Sequence, residues 1–298
     1  MTESVFHAGE IEVQRRAGVD QMATRVGRSI RREIPPAAEE FLAQRSWIVL
    51  ATTDSAGRPW ASILSGAPGF VSVGPGVVHI EAGPSAGDPL SENWRISPHA
   101  GLLAIDLVTR RRMRVNARLD QSHDDGILLR VDQVFSNCPK YIQRRVEEPG
   151  APRQPTGETV HSAALTDPHR EWIGAADTFF IASVNPGEGA DASHRGGAPG
   201  FVRVEGDRIC WPDYQGNMMF NTLGNIAAFP RAGLLFPDFA TGRTLQVTGR
   251  ASINWDPAAA AQVRGAERLV ELTVEDVVEL QGSGLPRMAL VDYSPHLP

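Results

Sequence analysis

Two stretches of the 298-residue chain carry the same pattern at nearly the same spacing. Gly233-Leu234-Leu235 leads through Asp238 and Arg243 to Val247. Gly101-Leu102-Leu103 leads through Asp106 and Arg111 to Val115, and each matched pair lies 132 positions apart. Asn225 and Pro230 repeat Asn93 and Pro98 at that offset, and Ala198-Pro199-Gly200-Phe201 repeats Ala67-Pro68-Gly69-Phe70 at 131. One residue of drift over so long a span marks an internal duplication. Solenoid repeats run at roughly 20–50 residues, so each copy here is a domain-sized unit. Whatever one copy folds into, the other must fold into as well.

Within Gly233–Ser252, two apolar runs, Leu234–Phe236 and Leu245–Val247, flank the turn-forming Asp238-Phe239-Ala240-Thr241-Gly242-Arg243. This reads as two antiparallel strands joined by a tight loop. Thr244, Gln246 and Thr248 alternate with Leu245, Val247 and Gly249, so one face enters a core and the other shows polar groups. The first copy has strands at Trp47–Thr53, Pro59–Ser65, Val71–Val73, Val77–Ile80, Leu102–Leu107, Met113–Leu119 and Ile127–Phe135, with a helix at Ser91–Ile96. Cys138–Arg145 reads as a helix starting with Pro139 at its first position. The second copy has a helix near Pro168–Gly174, then strands at Thr178–Val184, Ala192–Ala198, Phe201–Val204 and Arg208–Trp211. A helix at Met218–Ala228, the hairpin above, a short helix at Ala258–Val263 and strands at Leu269–Val274 and Val277–Leu280 complete it. Short strands with Gly-rich turns predict a mainly β fold, two small antiparallel barrels in tandem, and not a parallel sheet with crossover helices. Residues 1–35 read as an N-terminal extension, with a short helix at Gly9–Ala17. Residues 36–146 form the first repeat, the Pro- and Gly-rich 147–165 a linker, and 166–298 the second repeat.

Composition narrows the partners. A net charge of −6 argues against nucleic acid. No apolar run is long enough for a membrane span, and the N-terminus has no secretory pattern, so a cytoplasmic protein without membrane partners is expected. Cys138 and Cys210 lie far apart in non-equivalent places, and the 8 histidines show no ligand spacing, so neither a disulfide nor a metal site is expected. Lys140 is the only lysine.

The second copy reads in order Ser193-His194-Arg195, Gly200-Phe201, Tyr214-Gln215-Gly216-Asn217, a helix, Asn225, Pro230, Gly233-Leu234-Leu235-Phe236, then Arg243, Gln246-Val247 and Gly249. This resembles the FMN-binding split barrels of pyridoxamine 5'-phosphate oxidases and their relatives. There a Ser-x-Arg strand, a Tyr-x-Ser-Arg-Lys segment before a helix and an Arg-Gln-Val strand approach the flavin. Phe6-His7-Ala8-Gly9-Glu10 and Asn137-Cys138-Pro139-Lys140-Tyr141 point to a tandem, two-barrel branch. The phosphate clasp is Gly216-Asn217-Met218 here, two cations short. The C-terminus also lacks the family's Trp- and Arg-rich ending, which turns the reading away from pyridoxamine phosphate as substrate.

The resemblance implies FMN held between the repeats and an FMN-dependent oxidoreductase moving a hydride at flavin N5, on a small organic substrate. The alternatives are a non-catalytic flavin- or haem-binding protein and a deazaflavin-dependent reductase. Ser193, His194, Arg195 and Gly196 offer a hydroxyl, a guanidinium and a close backbone to a phosphate; the first repeat has Ser62-Ile63-Leu64-Ser65 there. Gln215, Gly216 and Asn217 precede a helix whose N-terminal amides suit an anion, and Asn221 follows on that helix. Gln246 can donate to and accept from a flavin edge. Arg243 is a candidate for the same edge or for a structural pair with Asp238. Lys140 and Tyr141 offer a cation and an aromatic face. A barrel pair within one chain replaces the subunit interface of single-barrel relatives, and a homodimer of whole chains is also expected to be possible.

Overall fold

The computed structural model describes residues 4–123, 126–148 and 158–298. Three helices open the chain: α1 (Ala8–Arg16), α2 (Asp20–Gly27) and α3 (Pro36–Ala43). The first repeat follows with β1 (Trp47–Thr53), β2 (Pro59–Ser65), β3 (Val71–Gly74), β4 (Val77–Ile80), α4 (Leu90–Ile96), β5 (His99–Asp106), β6 (Arg111–His123) and β7 (Gly126–Ser136). Between the repeats lie β8 (Arg144–Glu147), β9 (Thr159–Ser162) and α5 (Asp167–Ala175). The second repeat has β10 (Thr178–Asn185), β11 (Gly189–Gly196), β12 (Arg203–Glu205), β13 (Arg208–Tyr214), α6 (Asn221–Ala228), β14 (Arg231–Asp238), β15 (Arg243–Asn254), α7 (Pro257–Ala261) and β16 (Ala266–Leu280), and β17 (Met288–Asp292) ends it.

The two sheets repeat one topology. The first runs β2-β1-β5-β6-β7-β4-β3 and the second β11-β10-β14-β15-β16-β13-β12, every pairing antiparallel, with β9 added beside β16. These are the two barrels of the duplication.

Each barrel has its own core, and a third apolar cluster joins them. The central strands are apolar on both faces because both faces are buried. On β1, Ile48 and Leu50 enter the first core while Trp47, Val49 and Ala51 enter the seam. On β10, Phe179 and Ile181 enter the second core, and Phe180 and Ala182 meet the same seam. Trp47 and Phe180 touch there edge-on, with ring centroids 5.8 Å apart.

The glycines of the two Gly-Leu-Leu motifs are seam contacts. A Cβ on Gly101 would lie 2.6 Å from the Ala192 amide and 2.7 Å from Asp191 Cα, on β11 of the opposite barrel. A Cβ on Gly233 would lie 2.8 Å from the Pro59 carbonyl carbon and 2.9 Å from Trp60 Cα, on β2. The duplication therefore repeats the contact that joins the copies.

Several expectations change. Cys138–Arg145 is not a helix: Tyr141 has φ 67°, which breaks the run, and β8 then pairs with β17. The helix expected from Met218 begins only at Asn221, because Met218 (φ 64°) and Phe220 (φ 60°) are left-handed. Leu269–Val274 and Val277–Leu280 are one strand, β16, with a register shift opposite Thr248/Gly249. The return strand expected at Ala192–Ala198 runs Gly189–Gly196. Residues 149–157 of the expected linker lie outside the described residues, and its two ends carry β8 and β9. α1 starts in a capping box, His7 accepting from the Gly9 amide while Glu10 reaches back to the His7 amide. It packs on α6, where Gly9 faces the Gly224 carbonyl and Gly224 faces the Glu10 backbone. No helix among the described residues is long and apolar enough to cross a membrane.

Candidate functional site

The edge strand β11 of the second barrel faces β6 of the first across a polar cleft. Ser193 and Arg195 share one side of β11, and Arg195 Nη1 donates to Ser193 Oγ (2.9 Å) and to the His194 carbonyl (3.0 Å). From β6, Arg112 Nη1 donates to His194 Nδ1 (3.1 Å) and Nη2 to the Cys138 carbonyl (2.9 Å). Arg114 pairs with the buried Asp191, and its Nη1 donates to Asn221 Oδ1 at 3.4 Å. The cleft holds a cavity of ≈ 100 Å³ that opens to solvent at its mouth.

Cations dominate the walls. Neither Arg112 nor Arg195 makes an ion pair among the described residues. Asp213 also lines the cleft, but its carboxylate pairs with Arg268 at 2.7 Å. Burial, and then the charges of Arg195 and Arg114, push Arg112 down to about 9. Burial likewise lowers Arg195. Three buried nitrogens lack any partner: Arg112 Nε, Arg114 Nε and His194 Nε2. A guanidinium only donates, so His194 Nδ1 must accept from Arg112 and Nε2 carries the ring proton. Burial and the nearby arginines hold this imidazole well below its ordinary pKa, so it is neutral.

The mouth is a clasp between barrels. Tyr141 Oη donates to the Gln215 carbonyl (3.1 Å), and Lys140 Nζ donates to Gln215 Oε1 (3.4 Å). The Tyr141 and Tyr214 rings sit 5.2 Å apart at 39°. Three residues lining the cleft, Tyr141, Met218 and Phe220, hold left-handed backbone without being glycine. Such conformations cost of order 1–3 kcal/mol each and concentrate at functional sites.

Behind the cleft lies a buried polar ring. Glu10 accepts from Asn221 Nδ2 and from the His7 amide (2.9 Å). His7 Nε2 bonds Asn225 Oδ1 (2.9 Å), and Asn225 Nδ2 donates to Ser183 Oγ (3.0 Å) and Asp191 Oδ2 (3.3 Å). Burial and the charge of Asp191 push Glu10 up to about 8. The N-terminal extension therefore builds the wall that holds Asn221 and Arg114.

Of the residues singled out in the sequence, Ser193, His194, Arg195, Gly196, Gly216, Asn217, Asn221, Lys140 and Tyr141 all line this cleft. Gln215 joins them through Lys140 and Tyr141. Two do not. Gln246 is wholly buried in the seam, its Nε2 donating to the Ala61 carbonyl (2.8 Å), Ser62 Oγ (3.1 Å) and Asp88 Oδ2 (3.2 Å). Arg243 lies between Asp238 (3.4 Å) and Glu279 (3.3 Å), over the Trp172 ring. Both sit on β15: Gln246 on the face that meets the first barrel's β2, and Arg243 at its start on the other face, beside α5. Sequence reasoning missed Arg112, Asn137 and Asp213 as lining residues, and Glu10 behind them. The available signal was Arg114, which stands 132 positions before Gln246. If Gln246 belongs at a flavin edge in one copy, its twin belongs at the corresponding edge in the other.

Two barrels of one topology, joined face to face with a cationic cleft at the seam, define a tandem split-barrel protein. Residues 165–295 match the family model described as Pyridoxamine 5'-phosphate oxidase. Among solved structures, HupZ of Group A Streptococcus is 19% identical, covering 40% of this chain and 96% of its own, with a TM-score of 0.33. An FAD-binding protein of Mesorhizobium loti is 11% identical over 41% of this chain and 98% of its own, at 0.30. HutZ, the heme-storage protein of Vibrio cholerae, is 18% identical over 35% and 94%, at 0.25. No curated protein matches the chain significantly.

Proposed function

We propose that the chain is a flavin-dependent oxidoreductase that holds FMN in the seam cleft and acts there on a small organic substrate. The carrying observation is the cleft's unmatched donor set: Arg112 and Arg195 without carboxylate partners, beside the unpaired Arg112 Nε, Arg114 Nε and His194 Nε2. Such a set suits a phosphate dianion and a carbonyl-bearing ring edge. Bound FMN would supply hydride exchange at its N5. Ser193, Arg195 and Arg112 would bind the phosphate, helped by backbone at Gly196 and Gly216. His194 Nε2–H and Arg114 would donate to polar ring atoms, and the fixed tautomer keeps His194 a donor. Lys140, Tyr141 and Tyr214 would orient a planar substrate and limit water at the mouth.

Haem ligation by His194 would need a lone pair at its Nε2. Arg112 occupies His194 Nδ1 as a donor, which places the proton on Nε2 and removes that lone pair. A deazaflavin would meet the same donors, so identifying the ligand that co-purifies, by mass spectrometry, separates it from FMN. Absorption bands near ~450 nm indicate flavin, and an intense Soret band would indicate haem. Arg195→Ala removes a charge-assisted phosphate contact, of order 1.5–3 kcal/mol. FMN affinity is then expected to fall at least about tenfold in a fluorescence titration. Unchanged affinity would overturn the assignment.

A further inference from the structure

The first barrel carries a second opening, away from the seam clasp, lined by Phe41, Arg111, Met113, Ser136, Pro35 and Pro139. The duplication supplies an internal control for it. Phe41 and Arg111 stand where the second barrel has Trp172 and Arg243, and Ala38 stands where it has His169. Ser136 pairs with Met113, as Glu279 pairs with Leu245, so Ser136 is the twin of Glu279.

In the second barrel the equivalent residues also line an open space, but there the arginine is neutralised. Arg243 lies over Trp172 (4.9 Å), pairs with Asp238 and Glu279, and His169 Nε2 meets Glu279 at 3.2 Å. In the first barrel the same arginine lies over Phe41 (5.2 Å), but both acids are gone from it. Asp106, the twin of Asp238, pairs with Arg45 at 3.5 Å. Serine replaces the glutamate, and alanine replaces the histidine. Arg111 makes no ion pair among the described residues. The opening holds a cavity of ≈ 400 Å³ between an apolar floor and a guanidinium with no ion pair among the described residues. That is the size and chemistry of a small-ligand pocket.

We propose that the first barrel binds a small apolar carboxylate in this opening, its carboxylate on Arg111 and its apolar body against Phe41, Met113 and Pro139. Arg112 and Asn137 line both this opening and the seam cleft, so the two sites share a wall. The site stands on Arg111 and its lost partners and does not rest on the flavin reading. The test is calorimetric titration of the full chain with 1-naphthoate and octanoate, with 1-naphthalenemethanol as the uncharged control, at low ionic strength. At least one carboxylate is expected to bind, with the alcohol weaker by about tenfold or more. Arg111→Gln, a change on the surface of the pocket, is expected to weaken the carboxylate by about tenfold. Ala38→His with Ser136→Glu rebuilds the second barrel's arrangement and is expected to abolish binding. Neither variant is expected to change the flavin content of the purified protein. No saturable binding of either carboxylate, or equal affinity in Arg111→Gln and the parent, overturns the proposal.

Discussion

Asp88 is a carboxyl group buried in the seam with only neutral donors around it. Ser62 Oγ (2.6 Å), the Leu90 amide (2.8 Å) and Gln246 Nε2 (3.2 Å) donate to it. Burial outweighs these bonds and pushes it up to about 6. An acid whose folded pKa lies above its unfolded value stabilises the fold below the unfolded pKa and loses that contribution as pH rises through the folded one. For Asp88 the window runs from 3.8 to about 6, of order 3 kcal/mol. Glu10 adds a second loss between 4.5 and about 8. Below pH 6.5 the histidines His7, His99 and His194, all lowered by burial, oppose these losses, so unfolding in denaturant is expected to show a net fall in stability from about pH 6.5 to pH 9. Asp88→Asn should remove the lower step and be more stable than the parent at pH 8; an unaltered pH profile would refute the assignment. The same group explains why Gln246, expected at a flavin edge, sits in the seam instead. Its sequence neighbours fit a flavin-facing strand, but no spacing in the sequence announces that Ser62 and Asp88, 184 and 158 positions away, will close around it. His194 and Arg195 stand out in the sequence because their twins Ile63 and Leu64 are hydrocarbons, whereas Ser193 keeps its match in Ser62.

At the scale of elements, the duplication made the strands readable and left the special turns obscure. Strand positions and hairpins follow from short apolar runs bounded by turn residues, which each copy shows independently. The composition of the segments at Tyr141 and at Met218–Phe220 allows a helix. Tertiary contacts overrode that propensity: Tyr141 is held by Gln215 and by Ser294 Oγ, which accepts from its amide at 3.2 Å. The twin seam glycines carry the clearest element-level prediction. At both positions an added methyl meets backbone of the opposite barrel, and backbone cannot swing aside as a side chain can. Overpacking of this kind costs roughly 1–3 kcal/mol. Gly101→Ala and Gly233→Ala should each lower the melting temperature by several degrees, about 2–4 °C per kcal/mol for a chain of this size. Gly101→Ala, which presses on Asp191 and Ala192, should also weaken ligand in the cleft. Gly233→Ala presses on Pro59 and Trp60 and should leave ligand affinity unchanged. Equal effects of the two variants on the ligand would show that the seam, and not β11, sets the cleft.

A symmetric pair of barrels would present two equivalent clefts, and this chain has broken that symmetry. At one end of the seam, Arg114, His194 and Arg195 surround open space. At the twin place stand Gln246, Ile63 and Leu64: Gln246 is tied to Ser62 and Asp88, Ile63 packs in the seam, and Leu64 packs in the first core. The replacements agree in direction, each exchanging a cation or imidazole for an amide or a hydrocarbon. Fusion of the copies removes the need to keep the halves identical, because one chain can then specify two different ends. On the proposed flavin reading, a cofactor count follows. Native mass spectrometry of the purified protein should show one FMN per chain, and a second equivalent should not add on titration with excess. Because both walls of the cleft belong to one chain, flavin occupancy should also be independent of protein concentration well above the ligand's own Kd. A site shared between subunits would instead lose occupancy as the assembly dissociates on dilution. Two flavins per chain, or occupancy that falls with protein concentration at fixed free ligand, would mean that the sealed end opens or that a second chain completes the site.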